Sequence, residues 1–130
     1  MEKILRCSIL IVDDFNNVLV AERGKGKNTI TSWGLFGKEI KGKENEEKCI
    51  TKAIDKDIKC NIFDLEVFKD YFNGEDGLRV FKGSVKEYVT CHKTINQVKW
   101  IGKNDIDKYN FNDEDKKILR DFYNIKKDEA

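Results

Sequence analysis

The stretch of residues 33–62 reads WGLFGKEIKGKENEEKCITKAIDKDIKCNI and joins a glycine-containing turn to a helical pattern. Asn45 is a good N-cap, and Glu46 and Glu47 in the next turn suit the positive end of a helix dipole. The apolar residues that follow recur with a period of about 3.6 residues: Cys49, Ile50, Ala53, Ile54 and Ile58. The stretch therefore predicts a tight loop and a capped amphipathic helix that runs to about Lys59.

Apolar runs before this stretch predict strands. Residues 8–12 and 18–21 flank the turn sequence DDFNN, which is typical of a hairpin. Residues 33–36 predict another short strand at the start of the stretch itself. The N-terminal part of the chain is therefore expected to be β structure that leads into the helix.

After the helix, the chain again shows predicted strands followed by a predicted helix. Further strands are predicted at residues 65–72, 78–85, 88–91 and 98–101. Asn112 then begins a closing helix with the apolar stripe Ile118, Leu119, Phe122 and Ile125. This order predicts an α+β fold with a mixed sheet packed between helices. No repeat or linker interrupts it, so residues 1–130 are expected to form a single domain.

Composition excludes several classes of protein. The 130 residues carry 25 basic and 24 acidic side chains, a net charge of +1, which argues against nucleic-acid binding driven by bulk charge. No apolar run approaches the roughly 18 residues of a membrane span, so no membrane partner is expected. The four cysteines, Cys7, Cys49, Cys60 and Cys91, form no CxxC pair, which favours a reduced protein in the cytoplasm.

Three weaker patterns favour ordinary structural roles. Residues 24–29, GKGKNT, lack the Ser or Thr that a phosphate-binding loop needs after its lysine, so a solvated loop is favoured over one that contacts substrate phosphates. His92, the only histidine, has no nucleophile pattern beside it and is interpreted as a surface or packing residue. The acidic residues 113–115 suit a helix N-terminus better than a metal site.

Residues 33–62 resemble the Nudix box, G-x5-E-x7-R-E-U-x-E-E-x-G-U, in which U is a bulky apolar residue. A tryptophan and a Pro-Gly-Gly turn usually precede that box, and residues 33–38 stand in their place. Glu44 falls on the first glutamate of the box and Lys52 on its arginine. The hairpin that ends in Arg23, and the late strand with Trp100, are also similar to the family. The resemblance implies the Nudix fold, with a mixed β-sheet sandwiched between helices.

The resemblance also implies an activity, because the family hydrolyses nucleoside diphosphates that are linked to another group. That reaction uses magnesium or manganese ions, which clustered carboxylates hold. By resemblance, the catalytic residues would be Glu44 and Asp57, and the metal ligands Glu44, Asp57 and the carbonyl group of Gly37. Arg23 would hold substrate phosphate. Asp113 or Asp115 lies near the region where some family members contact a nucleobase.

The chain departs from the box at its acidic positions. Ala53 and Lys56 replace two glutamates, and Lys59 replaces the last glycine. Two carboxylates are a poor platform for several Mg²⁺ or Mn²⁺ ions, and a lysine ammonium repels a cation. The expected pyrophosphohydrolysis is therefore weak or lost.

The same substitutions suggest a second function. Lys52 and Lys56 lie one helical turn apart, and Lys38 and Arg23 are expected close by. Such groups can neutralise the phosphate of a nucleotide or other phosphorylated small molecule without a metal. A weakened hydrolase, a metal-free binding module and a protein-interaction module all remain open, as does a purely solvated role for the lysines. A homodimer is also left open.

Overall fold

The structure is a computed structural model that describes residues 3–24 and 31–125. The elements follow in the order β1 (Lys3–Ile11), β2 (Val18–Arg23), β3 (Ser32–Gly34), β4 (Phe36–Glu39), α1 (Glu46–Ile58), β5 (Phe63–Asn73), β6 (Asp76–Ser84), β7 (Ile95–Ile101), a 3₁₀ helix (Lys103–Lys108) and α2 (Asp113–Phe122). Apart from Gly24, the loop interpreted above at residues 24–29 lies outside the described residues. Within the described ranges, no helix is long and apolar enough to span a membrane.

The strands form two sheets. The first has the order β4-β1-β6-β5, and the second has the order β3-β2-β7. Strand β1 runs parallel to β6, with Ile9 opposite Phe81, and antiparallel to β4, which makes the first sheet mixed. The expected mixed sheet is confirmed, and the chain adds a separate antiparallel sheet to it.

The sheets lie between the two α-helices. Ile9 of β1 packs in one buried cluster with Ile54 of α1, and its neighbour Leu10 packs in a second cluster with Leu119 of α2. Successive strand side chains point to opposite faces, so the fully buried segment of residues 7–11 contributes side chains to both cores. Each fully buried side chain of this size contributes about 1.5–3 kcal/mol. The predicted arrangement of sheet between helices is confirmed.

Both ends of α1 agree with the sequence pattern. The Asn45 side chain accepts a hydrogen bond from the backbone N–H of Lys48 at 2.8 Å, which caps the first turn. Lys59 ends the helix in the left-handed region, with φ 54°, and its N–H donates to the Asp55 carbonyl at 3.1 Å. That conformation explains why a glycine suits this position of the box.

The strand predicted at residues 88–91 is wrong. The backbone N–H of Thr90 donates to the Ile58 carbonyl at 3.0 Å, and that of His92 to the Asp57 carbonyl at 2.8 Å. The last carbonyls of a helix have no partner within the helix, and this segment supplies donors to two of them. The segment therefore lies against the end of α1 instead of joining a sheet, and it carries His92 to the candidate site.

Candidate functional site

Glu44 lies in the loop between β4 and α1, and cations surround its carboxylate. Lys52 Nζ is 2.8 Å from Glu44 Oε2, and Lys38 Nζ is 3.7 Å from Oε1. The backbone N–H of Lys41 also donates to Oε1, at 3.2 Å. The hydrogen bonds from Lys52 and from this N–H lower the pKa of Glu44. Glu44 is therefore an ionised carboxylate with both oxygens engaged.

Asp57 lies on the buried face of α1 and is only 8% exposed. Arg23 at the end of β2 donates from Nη2 to Asp57 Oδ2 at 2.9 Å. The other terminal nitrogen of the guanidinium group, Nη1, lies 3.4 Å from the hydroxyl oxygen of Thr94. The second remaining carboxylate of the box is thus neutralised by Arg23, the residue that the family resemblance predicted to hold substrate phosphate.

The exposed face of α1 carries the two lysines predicted there. Lys52 and Lys56 are exposed, whereas Ala53 and Asp57 are buried one turn apart on the inner face. Among the described ion pairs, Lys52 contacts Glu44 and none includes Lys56. Asp55 is exposed and lies away from the buried face, so it does not replace the carboxylate missing at Ala53.

Gly37 holds the site loop against the first sheet. It pairs with Ser8 of β1, and a Cβ added to it would collide with the backbone oxygen of Cys7. Any larger residue would force β4 away from β1, and with it Lys38, the next residue of the strand. The glycine is therefore required for close strand packing.

The described residues do not fit a divalent metal centre. Magnesium and manganese bind oxygen ligands, usually one or two free carboxylates completed by water and substrate phosphates, and a site for several ions needs clustered carboxylates. No three Asp, Glu, His or Cys side chains within residues 3–24 and 31–125 are grouped closely enough to hold a metal ion. Glu44 and Asp57 are each paired with a cation of the chain, Ala53 offers no ligand, and Lys56 adds a positive charge.

The structure brings a polar pair to the site that the sequence did not indicate. His92 Nδ1 lies 2.9 Å from Thr94 Oγ1, and the Thr94 hydroxyl is the group that Arg23 approaches. The sequence shows no signal for this arrangement, because Arg23, Asp57 and His92 lie more than 30 residues apart along the chain. His92 was interpreted as a surface or packing residue, and the structure adds that its ring is hydrogen-bonded to Thr94.

A cavity of about 260 Å³ lies beside the site loop. Its lining includes Gly37 and Lys38 of β4, Ser8 of β1 and Asp115 of α2. Asp115 Oδ2 accepts a hydrogen bond from the Leu35 N–H at 3.2 Å, and burial raises the pKa of Asp115 to about 6. Cavities of about 510 and 490 Å³ lie elsewhere along α2. Asp113 lines both of them, but none of the residues predicted to be catalytic, to bind metal or to bind phosphate does.

Solved structures similar to this chain include proteins described as MutT and as Nudix hydrolases. A MutT from work on Aliivibrio salmonicida and Vibrio cholerae is 12% identical with a TM-score of 0.77, over 92% of this chain and 97% of that chain. A putative Nudix hydrolase family member from Chromobacterium violaceum is 15% identical with a TM-score of 0.74, over 100% and 83%. A MutT Nudix hydrolase from Burkholderia pseudomallei is 16% identical with a TM-score of 0.71, over 92% and 98%.

The chain therefore has the Nudix hydrolase fold, as the sequence resemblance implied. No protein-family model matches the sequence, and no curated protein does. At these identities the likeness establishes the fold, and the function has to be argued from the side chains of this chain.

Proposed function

We propose that the chain binds nucleoside diphosphate-linked compounds through their phosphates at the site around Glu44 and Asp57, without a metal ion. Pyrophosphohydrolysis, the reaction that the Nudix fold suggests, is weak or lost in this proposal. One observation supports it above all. Each carboxylate that remains from the box is paired with a cation of the chain, Glu44 with Lys52 and Asp57 with Arg23.

The charge balance of the site favours an anion. Three cations, Arg23, Lys38 and Lys52, contact the two carboxylates, which leaves an excess of one positive charge before Lys56 is counted. An excess of positive charge attracts a diphosphate and repels a divalent cation. The box pattern would reverse this sign, because it places glutamates at the positions of Ala53 and Lys56.

The side chains suit phosphate in different ways. The planar guanidinium of Arg23 keeps donors beyond those used on Asp57 and Thr94, and such a fork matches phosphate oxygens. Lys38 and Lys52 act as point charges and can turn from Glu44 to a stronger anion. In this proposal the phosphates replace Glu44 as the partner of Lys38 and Lys52, while Arg23 keeps its bond to Asp57, so no metal has to neutralise them.

The cavity beside Lys38 is proposed to take the nucleoside part. A carboxyl group whose pKa is raised to about 6 changes its protonation near neutral pH. Asp115 can therefore donate or accept a hydrogen bond there, and both are useful against the edge of a nucleobase. This assignment extends the expectation, drawn from the family resemblance, that Asp113 or Asp115 lies near a base-binding region.

The test is calorimetric titration of ADP, ADP-ribose and GTP with excess chelator, beside a phosphate-release assay in Mg²⁺ and in Mn²⁺. We expect binding that survives the chelator and weakens with salt, with little or no turnover. Glu44→Gln should bind ADP more tightly than the wild type, because it removes a negative charge between Lys38 and Lys52. Its amide oxygen can still accept from the Lys41 N–H.

Glu47→Gln is the matched control, since Glu47 is exposed in the first turn of α1 and its loss changes the net charge equally. Its affinity for ADP should stay close to that of the wild type. Metal-dependent turnover that disappears in Glu44→Gln would contradict the proposal and identify a working hydrolase. Absence of any binding in chelator would also contradict it.

A further inference from the structure

Four residues close a ring of hydrogen bonds beside the candidate site. Arg23 reaches Asp57 Oδ2 at 2.9 Å with Nη2 and Thr94 Oγ1 at 3.4 Å with Nη1. Thr94 Oγ1 lies 2.9 Å from His92 Nδ1, and the His92 backbone N–H donates to the Asp57 carbonyl at 2.8 Å. The imidazole is thus held on the same polar ring as the arginine that the proposed function places on phosphate.

The hydrogen bonds determine which nitrogen of His92 carries the proton. The backbone N–H of Thr94 donates to Nδ1 at 3.2 Å, so Nδ1 is an acceptor. The Thr94 hydroxyl accepts from Arg23, which leaves its own hydrogen free to point at Nδ1 as well. A neutral imidazole with an unprotonated Nδ1 carries its proton on Nε2.

The Nε2–H group lies on the opposite edge of the ring from this network. His92 is half-buried, and among the described residues no hydrogen bond to Nε2 is formed. We infer that His92 donates from Nε2–H to the phosphate that Arg23 binds, and that Thr94 is a positioning residue for both side chains. This inference rests on the proposed function and adds a neutral donor to a site otherwise made of charged groups.

The segment around His92 is held in place before any ligand arrives. Thr90 and His92 are tied to the C-terminal carbonyls of α1, and the Ile95 N–H donates to the His92 carbonyl at 2.9 Å, where β7 begins. A donor that is already positioned loses little conformational freedom on binding. A hydrogen bond from His92 should therefore contribute more to the binding free energy than one from a mobile surface histidine.

The test uses inorganic pyrophosphate and ADP as probes, titrated by calorimetry in excess chelator. His92→Asn keeps an acceptor near the position of Nδ1 and removes the distal N–H, so we expect affinity to fall by about tenfold. His92→Gln places an amide N–H₂ near the position of Nε2 and should recover part of the loss. The thermal midpoint of each variant shows whether the fold is kept.

Thr94 is tested in the same way with a matched pair. Thr94→Val keeps the shape of the side chain and removes the hydroxyl, so pyrophosphate affinity should fall. Thr94→Ser keeps the hydroxyl and should restore affinity. A purely structural role for Thr94 would change the thermal midpoint and leave the affinity of the folded protein as it was.

A spectroscopic measurement is independent of any variant. His92 is the only histidine in the chain, so ¹⁵N-labelled histidine reports a single imidazole. We expect an unprotonated Nδ1 and a protonated Nε2 in the free protein, and a shift of the Nε2 signal when pyrophosphate is added. A proton on Nδ1, or an Nε2 signal that does not move at saturating pyrophosphate, would overturn the inference.

The outcomes separate this inference from the proposed function. If wild-type protein binds pyrophosphate and His92→Asn binds it equally well, the role of His92 is wrong and the proposed function stands. If the wild type binds neither probe in chelator, both are wrong. Loss of affinity in His92→Asn with an unchanged thermal midpoint supports both.

Discussion

Arg23 Nη2 lies 2.9 Å from Asp57 Oδ2 and joins the end of β2 to the buried face of α1. Asp57 and Ser8 are the buried polar residues in the described part of the chain. A buried carboxylate without a partner costs free energy, so removing the charge of Arg23 should also destabilise the fold.

Arg23→Ala should destabilise the protein more than Asp57→Ala. The first change leaves a buried carboxylate without its partner, at a cost of about 1–3 kcal/mol in the free energy of unfolding. The second leaves an arginine side chain that is 37% exposed and can reach water. Urea denaturation of both variants measures the difference, and adding Asp57→Asn to Arg23→Ala should recover part of the loss. Equal losses in the two single variants would contradict this account.

Restoring the box carboxylates should create a metal site. In the double variant Ala53→Glu, Lys56→Glu, two carboxylates join Asp57 on neighbouring turns of α1, and an ammonium group is removed. We expect Mn²⁺ affinity to rise at least about tenfold over the wild type and ADP binding in chelator to weaken. Titration of Mn²⁺ followed by electron paramagnetic resonance measures the change.

Lys56→Glu alone serves as the control for the double variant, because it changes the charge without a carboxylate at the buried position 53. Its Mn²⁺ affinity should lie between that of the wild type and that of the double variant. No gain in the double variant would show that the rest of the site has also lost the geometry a metal needs.

Asp115→Asn should stabilise the protein at neutral pH and not in acid. The pKa of Asp115 is raised from its ordinary 3.8 to about 6, mainly by burial. The hydrogen bond from the Leu35 N–H opposes this shift, and the smaller effects of Glu114 and Arg6 raise and lower the pKa respectively. The folded state therefore binds the proton more tightly, and its stability falls as pH rises from about 4 to about 6.

A shift of this size corresponds to roughly 3 kcal/mol, which is an upper limit for the gain in Asp115→Asn above about pH 7. The asparagine oxygen can still accept from the Leu35 N–H. Denaturation at a series of pH values measures the gain, with Asp113→Asn as the control at an exposed position of the same turn. A gain that persists below about pH 4 would contradict the assignment to Asp115 ionisation.

Lys59→Gly should raise the stability of the fold by about 0.5–1 kcal/mol. Lys59 has φ 54°, a conformation that costs an L-residue more than it costs glycine. Thermal unfolding checks the prediction. Lys59→Ala removes the same charge but keeps a Cβ, so a comparable gain in that variant would assign the effect to charge and not to backbone conformation.

Local patterns were sufficient to predict the helices and most strands. The stripe from Cys49 to Ile58 and the caps at Asn45 and Asn112 were confirmed, because capping and helical periodicity act over a few residues. The strand predicted at residues 88–91 was wrong because its backbone donors bond to the end of α1, about 30 residues earlier in the chain. A local pattern holds no information on that partner.

The sequence by itself determined what the site contains: two carboxylates, an alanine at position 53, and lysines where the box has glutamate and glycine. Only the tertiary structure decided which groups pair: Arg23 with Asp57, and Lys52 with Glu44. It also placed His92 beside Arg23, with Thr94 hydrogen-bonded to both. The identity of each site residue can be read from the sequence one position at a time. Ion pairing, burial and the proton position on an imidazole depend on distances between residues that folding alone brings together.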